Sequence, residues 1–541
     1  MGARRTDPSQ WRNRPLASYL ADAAAVDPEK LGLVAHSAGG RTALTYREYE
    51  EQTARVARGL AELGVEAGEV VAVQLPNWWQ FGPLIYGIQR LGAVYTGIGV
   101  AYRSRETRFI LERTEARVVV IPARFRGFDH VEMMRELRAQ LPRLEHVVVV
   151  EGEPPAEAGW LSFDRLRAEP SGPRPEVDPN ALAHIGFSSG TTGEPKGIMN
   201  SSNTLDAVLE NFIRIHDGLM DGHLVDLIPS PITHHTGFLW GMLMSARVGG
   251  TAVLMDGWSA DRALEVIEQE RVTGLWSAAT FLQDLMNSPR LDSTDLSSLE
   301  FMCIPGAPIP RSLVPGARER LGAFIIPAWG MTEYGIGLSG SRDLDRELME
   351  RTDGVPVPGA ELRVVGQDGK ELGDDEEGEL ELRGAGLFLG YYKRPDLTDE
   401  SFDEEGWFRT GDRAVRHAGR FFELTGRTKD IVIRGGENIP VVEVENLLQT
   451  HPKVRDVAVV GYPDERLGER ACAFVVLRPG ETMTLPEAVD FLLQRGLSKH
   501  FLPERLEVSE GLPYTSSGKV QKFKLREQLV AGRRKEERAP A

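Results

Sequence analysis

The sequence predicts an α/β protein with a large layered N-terminal domain and a small α+β domain at its C-terminal end. Its 541 residues exceed what one hydrophobic core supports, so several domains or subdomains are expected. Short apolar runs alternate with helical segments over roughly the first 330 residues, as in layered α/β folds. The pattern changes after Gly354, where hairpin-like strands begin, and again near Lys429, where strands and helices alternate once more.

Three apolar runs in the first part have the character of strands buried in a parallel sheet. They are Val70–Leu75, Val118–Ile121 and His146–Val150, and none of them alternates regularly with polar residues. Helical patterns cover Tyr46–Leu63, before the first run, and Arg105–Thr114, before the second. Strand and helix therefore alternate along the chain, which favours a sheet covered by helices.

The later part divides into a β-rich subdomain and a separate unit. Glu361–Val365 and Glu379–Arg383 alternate in polarity and are connected through the turn at Gln367–Lys370, which is typical of hairpins. The stretch after residue 428 is long enough to fold as a small domain. We therefore predict an N-terminal domain at 1–428, with the β-rich subdomain at about 354–428, and a C-terminal domain at 429–541.

Composition limits the possible partners. A net charge of −17 argues against nucleic-acid binding, because nucleic-acid footprints are basic. The two cysteines, Cys303 and Cys472, are too few for a disulfide framework or a zinc cluster and lie in apolar runs, so we expect them to be buried. No apolar run approaches the length of a membrane span, so we expect no integral membrane association and a cytoplasmic location. The oligomeric state stays open, a homodimer included.

A glycine- and hydroxyl-rich stretch follows the predicted strand Ala181–Phe187. It reads SSGTTGEPKG over Ser188–Gly197 and can bring backbone N–H groups, hydroxyls and the Lys196 ammonium to a polyphosphate. It is not the loop of a P-loop kinase, because Pro195, which has no N–H, stands where that loop needs glycine. The candidate phosphate-binding residues are Ser188, Ser189, Gly190, Thr191, Thr192, Gly193 and Lys196.

A second candidate segment, AWGMTE, follows the apolar strand Phe324–Ile326. A turn there places an aromatic ring (Trp329), a hydroxyl (Thr332) and a carboxylate (Glu333) at a strand end, where open α/β sheets bind ligands. These groups suit a base, a phosphate and Mg²⁺ respectively. An ordinary strand-to-helix turn is the alternative interpretation.

Two further segments supply polar groups near the end of the chain. Asp412 follows a glycine in GWFRTGD and suits paired ribose hydroxyls, and a basic pair follows in GRTKD. Lys519 ends the turn TSSGK. Taken alone, each of these basic residues fits a solvated surface charge better than a binding role.

The ordered series SSGTTGEPKG, GAP, WGMTE, GWFRTGD, GRTKD and SSGK resembles the adenylate-forming superfamily of acyl-CoA synthetases, luciferases and adenylation domains. The resemblance runs from about Leu16 to Leu525 and includes LPN at Leu75–Asn77 and GGENI at Gly435–Ile439. It implies an enzyme that uses ATP, Mg²⁺ and coenzyme A to convert a carboxylic acid, through an acyl-adenylate, to acyl-CoA, AMP and pyrophosphate.

The resemblance also implies a role for each matching residue. The loop from Ser188 to Lys196 would close over the β- and γ-phosphates, Thr332 would contact the α-phosphate, and Glu333 would hold Mg²⁺. Asp412 would bind the ribose with help from Arg427, and Lys519 would bridge the substrate carboxylate and the α-phosphate. The residues implied around the adenylate are Gly306, Ala307, Pro308, Trp329, Gly330, Met331 and Thr332, with Trp329 where the family usually has tyrosine.

The same resemblance implies a moving C-terminal domain. Lys429 matches the hinge between the two domains, and Gly435, Gly436 and Glu437 match the loop brought in for the thiol step. Three departures concern surrounding loops: Pro440 and two valines follow ENI, Tyr514 replaces a basic residue, and Gly97–Val100 replaces a proline-bearing segment.

The acid itself is predicted from the segment Pro231–Gly237, which matches the family's P-x-x-H-x-x-G substrate segment. The implied pocket is apolar or neutral and comprises His234, Thr236, Phe238, Trp240, Gly306 and Met331. A second carboxylate would find no cationic partner there, so we expect a monocarboxylic acid. Several strings are similar to alicyclic (cyclohexanecarboxylate-type) and medium-chain acyl-CoA ligases, which suggests a compact or medium-chain apolar body.

Three alternatives stay open at this stage. The first is an acyl-AMP ligase that loads a carrier protein rather than coenzyme A. The second, an amino-acid-activating domain, is disfavoured because Pro231–Gly237 lacks an amine-binding aspartate. The third, a non-catalytic adenylate-binding protein, is disfavoured by the presence of Lys196, Glu333 and Lys519.

Overall fold

A computed structural model describes residues 8–169, 175–188, 195–305, 313–427, 432–434, 437–464, 468–497, 499–515 and 518–536. The helices are α1 (Ser18–Val26), α2 (Tyr46–Glu62), α3 (Phe81–Arg90), α4 (Ser104–Thr114), α5 (His130–Arg138), α6 (Phe163–Leu166), α7 (Ser202–Ile215), α8 (Met244–Arg247), α9 (Ala260–Glu270), α10 (Ala279–Asn287), α11 (Leu313–Leu321), α12 (Arg346–Arg351), α13 (Pro395–Glu400), α14 (Val441–Gln449), α15 (Leu485–Gln494) and α16 (Lys522–Glu536).

Two large β-sheets form the framework of the N-terminal domain. Within the described ranges, one sheet has nine strands, in the spatial order β18 (Val355–Pro356), β17 (Gly335–Ser339), β16 (Phe324–Met331), β15 (Phe301–Ile304), β14 (Gly274–Trp276), β12 (Val225–Ile228), β13 (Thr251–Met255), β1 (Leu31–Ser37) and β2 (Gly40–Thr45). The other has eight, in the order β21 (Gly390–Tyr391), β11 (Lys196–Ser201), β10 (Leu182–Ser188), β4 (Val94–Gly97), β3 (Val70–Val73), β5 (Val118–Pro122), β8 (His146–Val150) and β9 (Trp160–Ser162).

The central strands of both sheets are parallel, and their buried residues explain why the sequence runs are so apolar. Strand β5 pairs with β3 and β8 in parallel, and each residue from Val118 to Ile121 is fully buried. Burying one such side chain stabilises the fold by about 1.5–3 kcal/mol. These three strands lie where the sequence predicts them.

The helices cover the sheets with amphipathic faces. Helix α2 begins with a capping box, in which the Thr45 hydroxyl accepts from the Glu48 N–H and the Glu48 carboxylate accepts from the Thr45 N–H. Such a cap contributes about 1 kcal/mol to helix stability. Tyr49, Val56 and Leu60 on one face of α2 are buried in the main core. The predicted helix over 46–63 is therefore confirmed to within one residue.

A smaller antiparallel sheet forms the β-rich region. Its strands, in spatial order, are β19 (Ala360–Val365), β20 (Glu377–Gly384), β22 (Phe408–His417) and β23 (Phe421–Arg427). Strands β19 and β20 form the predicted hairpin, with Leu362 opposite Leu382. Strand β22 continues this sheet and carries Asp412 toward the end of β16.

The C-terminal domain has its own sheet and core. The strands are β25 (Glu437–Ile439), β24 (Val432–Arg434), β27 (Gly468–Leu477) and β26 (Val454–Asp464), with β28 (Arg505–Val508) parallel to β27; a separate small hairpin in the N-terminal domain is formed by β6 (Arg124–Phe125) and β7 (Phe128–Asp129). Helices α14 and α15 pack on one face and α16 on the other. The fold class predicted from the sequence, a large α/β domain followed by a smaller α+β domain, is confirmed.

One smaller expectation is also confirmed. Cys303 and Cys472 are both unpaired and buried, and burial raises the pKa of each thiol. No helix in the described part of the chain is both long enough and apolar enough to cross a membrane.

Candidate active site

Trp329, Thr332 and Glu333 lie where β16 turns into β17. The sequence predicts a turn over Ala328–Glu333, but β16 continues to Met331, because its end leaves the parallel sheet and pairs antiparallel with β17. The turn is therefore Thr332–Tyr334. A Cβ at position 330 would lie 2.1 Å from the Gly335 carbonyl oxygen, so this tight hairpin requires Gly330.

The strand that precedes the glycine-rich loop contacts this turn. A Cβ at Gly186 of β10 would lie 3.2 Å from Thr332 Cγ2 and 2.9 Å from His184 Cε1. The missing side chain at Gly186 therefore lets the two sheets meet at their strand ends. The end of β10 and the turn after β16 therefore lie side by side.

Tyr391 connects the two predicted charged residues of this site, and the sequence reasoning missed it. Its hydroxyl donates to Glu333 Oε1 at 2.9 Å, and the Lys196 ammonium lies 4.6 Å from its ring centroid. Burial, followed by the charge of Glu333, raises the pKa of Tyr391, so the phenol stays protonated. Glu333 is itself buried, and its carbonyl accepts from the Phe388 N–H.

Strand pairing places Tyr391 at this position. Strand β21 pairs antiparallel with β11, and Tyr391 lies opposite Ile198. Because β11 begins at Lys196, this pairing brings Tyr391 close to that lysine. Gly390 adopts a φ of +134° against Thr398, a conformation that suits glycine. A signal was present in the sequence, since Gly390 and Tyr391 follow an apolar run, but local pattern alone gives no partner for the hydroxyl.

Asp412 meets Trp329 across the site. The indole Nε1 donates to Asp412 Oδ2 at 2.8 Å, although 83 residues separate the pair. The Asp412 N–H donates to Thr410 Oγ1, and this hydroxyl donates to the Leu380 carbonyl. Asp412 is 6 % exposed, so its carboxylate lies at the inner edge of the site.

Lys519 of the C-terminal domain lies near His234 of the N-terminal domain. Burial, the Lys519 charge and His235 together lower the pKa of His234 to about 3, so this imidazole is neutral at physiological pH. The turn before the lysine also touches the N-terminal domain, since a Cβ at Gly518 would lie 2.8 Å from Thr280 Oγ1 and 3.0 Å from the Ala278 Cβ. The sequence-predicted lysine and histidine are thus brought together from different domains.

Two further neutral imidazoles line this region and were not predicted. His184 lies 4.4 Å from Phe238 and 5.8 Å from His235, measured between ring centroids. Burial lowers the pKa of His235 to about 4 and that of His184 well below its usual range. Within the described residues, Nδ1 of each ring is buried without a hydrogen-bond partner. These imidazoles thus offer polar groups that carry no positive charge.

The predicted pocket residues Phe238 and Trp240 lie in a π-helical segment, Thr236–Leu243. Such segments are rare and frequently occur at functional sites. Both rings are buried, and Trp240 stacks on Trp276 at 4.9 Å. Thr236 and Met331 are half-buried. The predicted acid-binding residues are therefore backed by a packed aromatic core.

Several predicted residues lie outside the described part of the structure. They are Ser189, Gly190, Thr191, Thr192, Gly193, Gly306, Ala307, Pro308, Lys429, Gly435 and Gly436, together with the side chains of Ser188, Arg427 and Glu437. Their predicted roles stay predictions. The backbone of Arg427 is described and lies opposite Asp412 in the β22–β23 register.

The described residues of the site therefore include an aromatic ring, a hydroxyl and a carboxylate at the end of β16, beside the strand β10. An aspartate comes from the β-rich sheet, and a lysine reaches across from a second domain. Fold and site together define an adenylate-forming enzyme, a class that activates a carboxylic acid with ATP.

Comparison with known proteins agrees with this class. The chain belongs to the AMP-binding enzyme family, which it matches over residues 20–392, and it matches the AMP-binding enzyme C-terminal domain over residues 443–519. It is 34 % identical over 524 residues to the medium-chain fatty-acid–CoA ligase of Escherichia coli, a match that covers 96 % of this chain and 91 % of that protein.

Two further relatives act on aromatic acids, according to their names. The chain is 33 % identical to the 2,3-dihydroxybenzoate-AMP ligase of Bacillus subtilis, over 97 % of this chain and 96 % of that protein. Its fold matches the crystal structure of the anthranilate CoA ligase AuaEII in complex with anthranoyl-AMP, with a TM-score of 0.87, 26 % identity, and coverage of 96 % and 98 % of the two chains. The protein is thus an adenylate-forming acid ligase that uses ATP.

Proposed function

We propose that the protein is a carboxylic acid:coenzyme A ligase that forms an acyl-adenylate and then an acyl-CoA thioester. The observation that carries this proposal is the approach of Lys519 to His234, which brings a cation from the second domain to the predicted acid-binding segment. A similar medium-chain fatty-acid–CoA ligase supports coenzyme A as the acceptor.

The first half-reaction joins two anions, and the chain's cations relieve their repulsion. A carboxylate oxygen attacks the α-phosphorus of ATP, the bond from that phosphorus to the bridging oxygen breaks, and pyrophosphate leaves. In our proposal Lys519 holds the carboxylate beside the α-phosphate, Thr332 donates to that phosphate, and Lys196 contacts the outer phosphates. Preorganised charges of this kind lower the barrier most where charge develops.

The residues present fit a magnesium ion. Glu333 offers a buried carboxylate oxygen that Tyr391 orients, and within the described residues no cluster of three or more metal-ligating side chains is found. Mg²⁺ is commonly held in this way, by one or two carboxylates together with substrate phosphates. When bound, it would neutralise phosphate charge; Glu333 would hold it, and Tyr391 would hold Glu333.

The second half-reaction needs a thiol. Its sulfur attacks the acyl carbon of the adenylate, the carbon–oxygen bond to AMP breaks, and the thiol proton is lost to water. We assign Gly435, Gly436 and Glu437 to this step. We assign Lys429 to the hinge about which the C-terminal domain rotates between the two half-reactions, and we place the start of that domain at residue 429. Withdrawal of Lys519 would then make room for the acceptor.

We propose that the acid is a medium-chain or alicyclic monocarboxylate. The imidazoles of His184, His234 and His235 are neutral, so they give a second carboxylate no positive partner. An unpaired charge buried there would be costly. The packed aromatic rings at Phe238 and Trp240 favour an apolar body and limit its length.

A second candidate is an acyl-AMP ligase that transfers an aromatic acid to a carrier protein. The similarity to a 2,3-dihydroxybenzoate-AMP ligase favours it, and the unpartnered imidazole nitrogens of His184 and His235 suit a ring hydroxyl. The two candidates share the first half-reaction and differ in the acid and the acceptor.

Pyrophosphate release from a panel of acids, with and without coenzyme A, tests the proposal. We expect faster pyrophosphate release with octanoate and cyclohexanecarboxylate than with acetate, malonate, palmitate and leucine. With coenzyme A present, we expect acyl-CoA that mass spectrometry detects. Preference for 2,3-dihydroxybenzoate, with AMP retained in the presence of coenzyme A, would favour the second candidate. If none of the acids in the panel supported pyrophosphate release, both candidates would be contradicted.

Replacing Tyr391 by phenylalanine is expected to weaken adenylate formation and its response to Mg²⁺. The variant keeps the ring beside Lys196 and removes the hydroxyl that donates to Glu333. Loss of such an orienting partner typically costs 10–100-fold in metal affinity or activity, so we expect about a tenfold higher Mg²⁺ requirement. ATP–pyrophosphate exchange measured across a Mg²⁺ titration gives this value. Tyr392→Phe, at the neighbouring residue, is the matched control, and equal behaviour of the two variants would remove Tyr391 from the site.

A further inference from the structure

The contact between Trp329 and Asp412 joins two residues that the sequence assigns to different parts of a nucleotide. Trp329 is predicted to lie against the base and Asp412 to bind the ribose, yet the indole Nε1 donates directly to Asp412 Oδ2 at 2.8 Å. An indole N–H is a donor only, and a carboxylate is an acceptor only, so the direction of this hydrogen bond is fixed.

The indole is held in place by the fold. A Cβ at Gly337 would lie 2.9 Å from Trp329 Cζ3, so the glycine in β17 makes room for the ring. The ring also packs against the buried cluster that contains Leu338 and Leu380. Since these contacts come from β17 and the β-rich sheet, the indole N–H has little freedom to point away from Asp412.

The carboxylate is held from its backbone side. The Asp412 N–H donates to Thr410 Oγ1 at 3.0 Å, and Thr410 Oγ1 donates to the Leu380 carbonyl at 2.6 Å. A carboxylate as buried as Asp412 needs hydrogen bonds to its oxygens. Each oxygen has two acceptor sites, so Oδ2 can accept from the indole and from a ligand hydroxyl at the same time.

We propose that Trp329 is a positioning residue for sugar recognition: its N–H fixes the Asp412 carboxylate so that both oxygens face the two ribose hydroxyls of the nucleotide. The inference rests on the proposed role of Asp412 in ribose binding. It adds a second task for Trp329, distinct from contact with the base. A residue with an aromatic face but no N–H at position 329 would keep the first task and lose the second.

The test is the selectivity between AMP and its two deoxy analogues. Calorimetry on the full chain measures the affinities for AMP, 2′-deoxy-AMP and 3′-deoxy-AMP. Loss of a hydrogen bond to a charged group costs on the order of tenfold or more in affinity, so we expect the wild type to prefer AMP by at least about tenfold over each analogue. In Trp329→Phe we expect this ratio to fall to about threefold or less for one or both analogues. An unchanged ratio in a folded Trp329→Phe variant would overturn the proposal.

Two further variants separate this inference from the function on which it rests. Trp407→Phe is the matched control, because that ring lies between Arg363 and Arg383, at 4.4 and 4.6 Å, in the β-rich region. It should leave the ratio unchanged, and a fall as large as in Trp329→Phe would contradict a specific role. Asp412→Ala should abolish selectivity. If Asp412→Ala abolishes it while Trp329→Phe does not, only the inference fails; if neither changes it, the ribose site itself is wrong.

Discussion

Replacing Lys519 by alanine is expected to lower the rate of acyl-adenylate formation by about 10²–10³-fold, the cost typical of removing one preorganised group that stabilises developing charge. Lys519 lies close enough to His234 for its charge to lower the pKa of that imidazole, so its ammonium lies at the predicted acid-binding segment. The fold should survive, because backbone atoms alone hold the turn before it: the Thr515 N–H donates to the Lys519 carbonyl, and the Gly518 N–H donates to the Thr515 carbonyl. ATP–pyrophosphate exchange measures the loss.

The same variant should still transfer a supplied acyl-adenylate to coenzyme A, because the proposed second half-reaction does not use Lys519. Lys522→Ala is the matched control, since that lysine pairs with Glu445 at 2.7 Å in the C-terminal domain. We expect it to exchange pyrophosphate normally. Normal exchange by Lys519→Ala would contradict the assignment of this lysine to the first step.

Replacing Glu333 by glutamine is expected to cost about 10²-fold in adenylate formation, because it removes one charged group at a site of developing charge while keeping the side chain's shape. Glu333 is buried and receives the Tyr391 hydroxyl, so glutamine can accept that same hydrogen bond. The Glu333→Gln variant therefore measures the effect of the carboxylate charge without a change in packing. Exchange assays at rising Mg²⁺ concentration measure both the rate and the metal requirement.

Of the two variants at the Tyr391–Glu333 pair, Glu333→Gln should lose more adenylate formation than Tyr391→Phe. Tyr391→Phe removes an orienting hydrogen bond and Glu333→Gln removes the charge itself, so the second loss should be the larger. Glu376→Gln, at an exposed glutamate, is the control and should behave as the wild type. A Glu333→Gln variant with normal exchange and a normal Mg²⁺ titration would contradict the metal role.

The regular elements were predictable because each is encoded locally. The apolar runs at 118–121 and 146–150 are buried parallel strands, and the helix over 46–63 carries its own capping residues. Strands precede the glycine-rich sequence and the turn with Thr332 and Glu333, as expected. The order of these segments along the chain was sufficient to identify the class of enzyme.

The contacts that organise the site were not predictable in the same way, because they join distant parts of the chain. Tyr391 reaches Glu333 across 58 residues, and Trp329 reaches Asp412 across 83. The neutral imidazoles of His184 and His235 likewise depend on burial that no local pattern reveals. The end of β16 was wrongly predicted as a turn, because the pairing with β17 that extends the strand depends on Gly330 and Gly335 acting together.

The pairing of β1 with the distant strand β13 in the nine-stranded sheet has a consequence for folding during synthesis on the ribosome. Strand β1 pairs with its sequence neighbour β2, but its other partner is β13, with Leu33 opposite Ala252. Until β13 has been synthesised, one side of β1 has unpaired backbone groups and its apolar residues lack their final cover. Closing so long a loop costs little extra stability, about 0.6 kcal/mol for each doubling of length, but pairings this distant in sequence slow folding. Strand β1 therefore stays unpaired on one side until β13 is made, and a nascent chain that ends before β13 exposes a strand edge that can pair with other chains and aggregate.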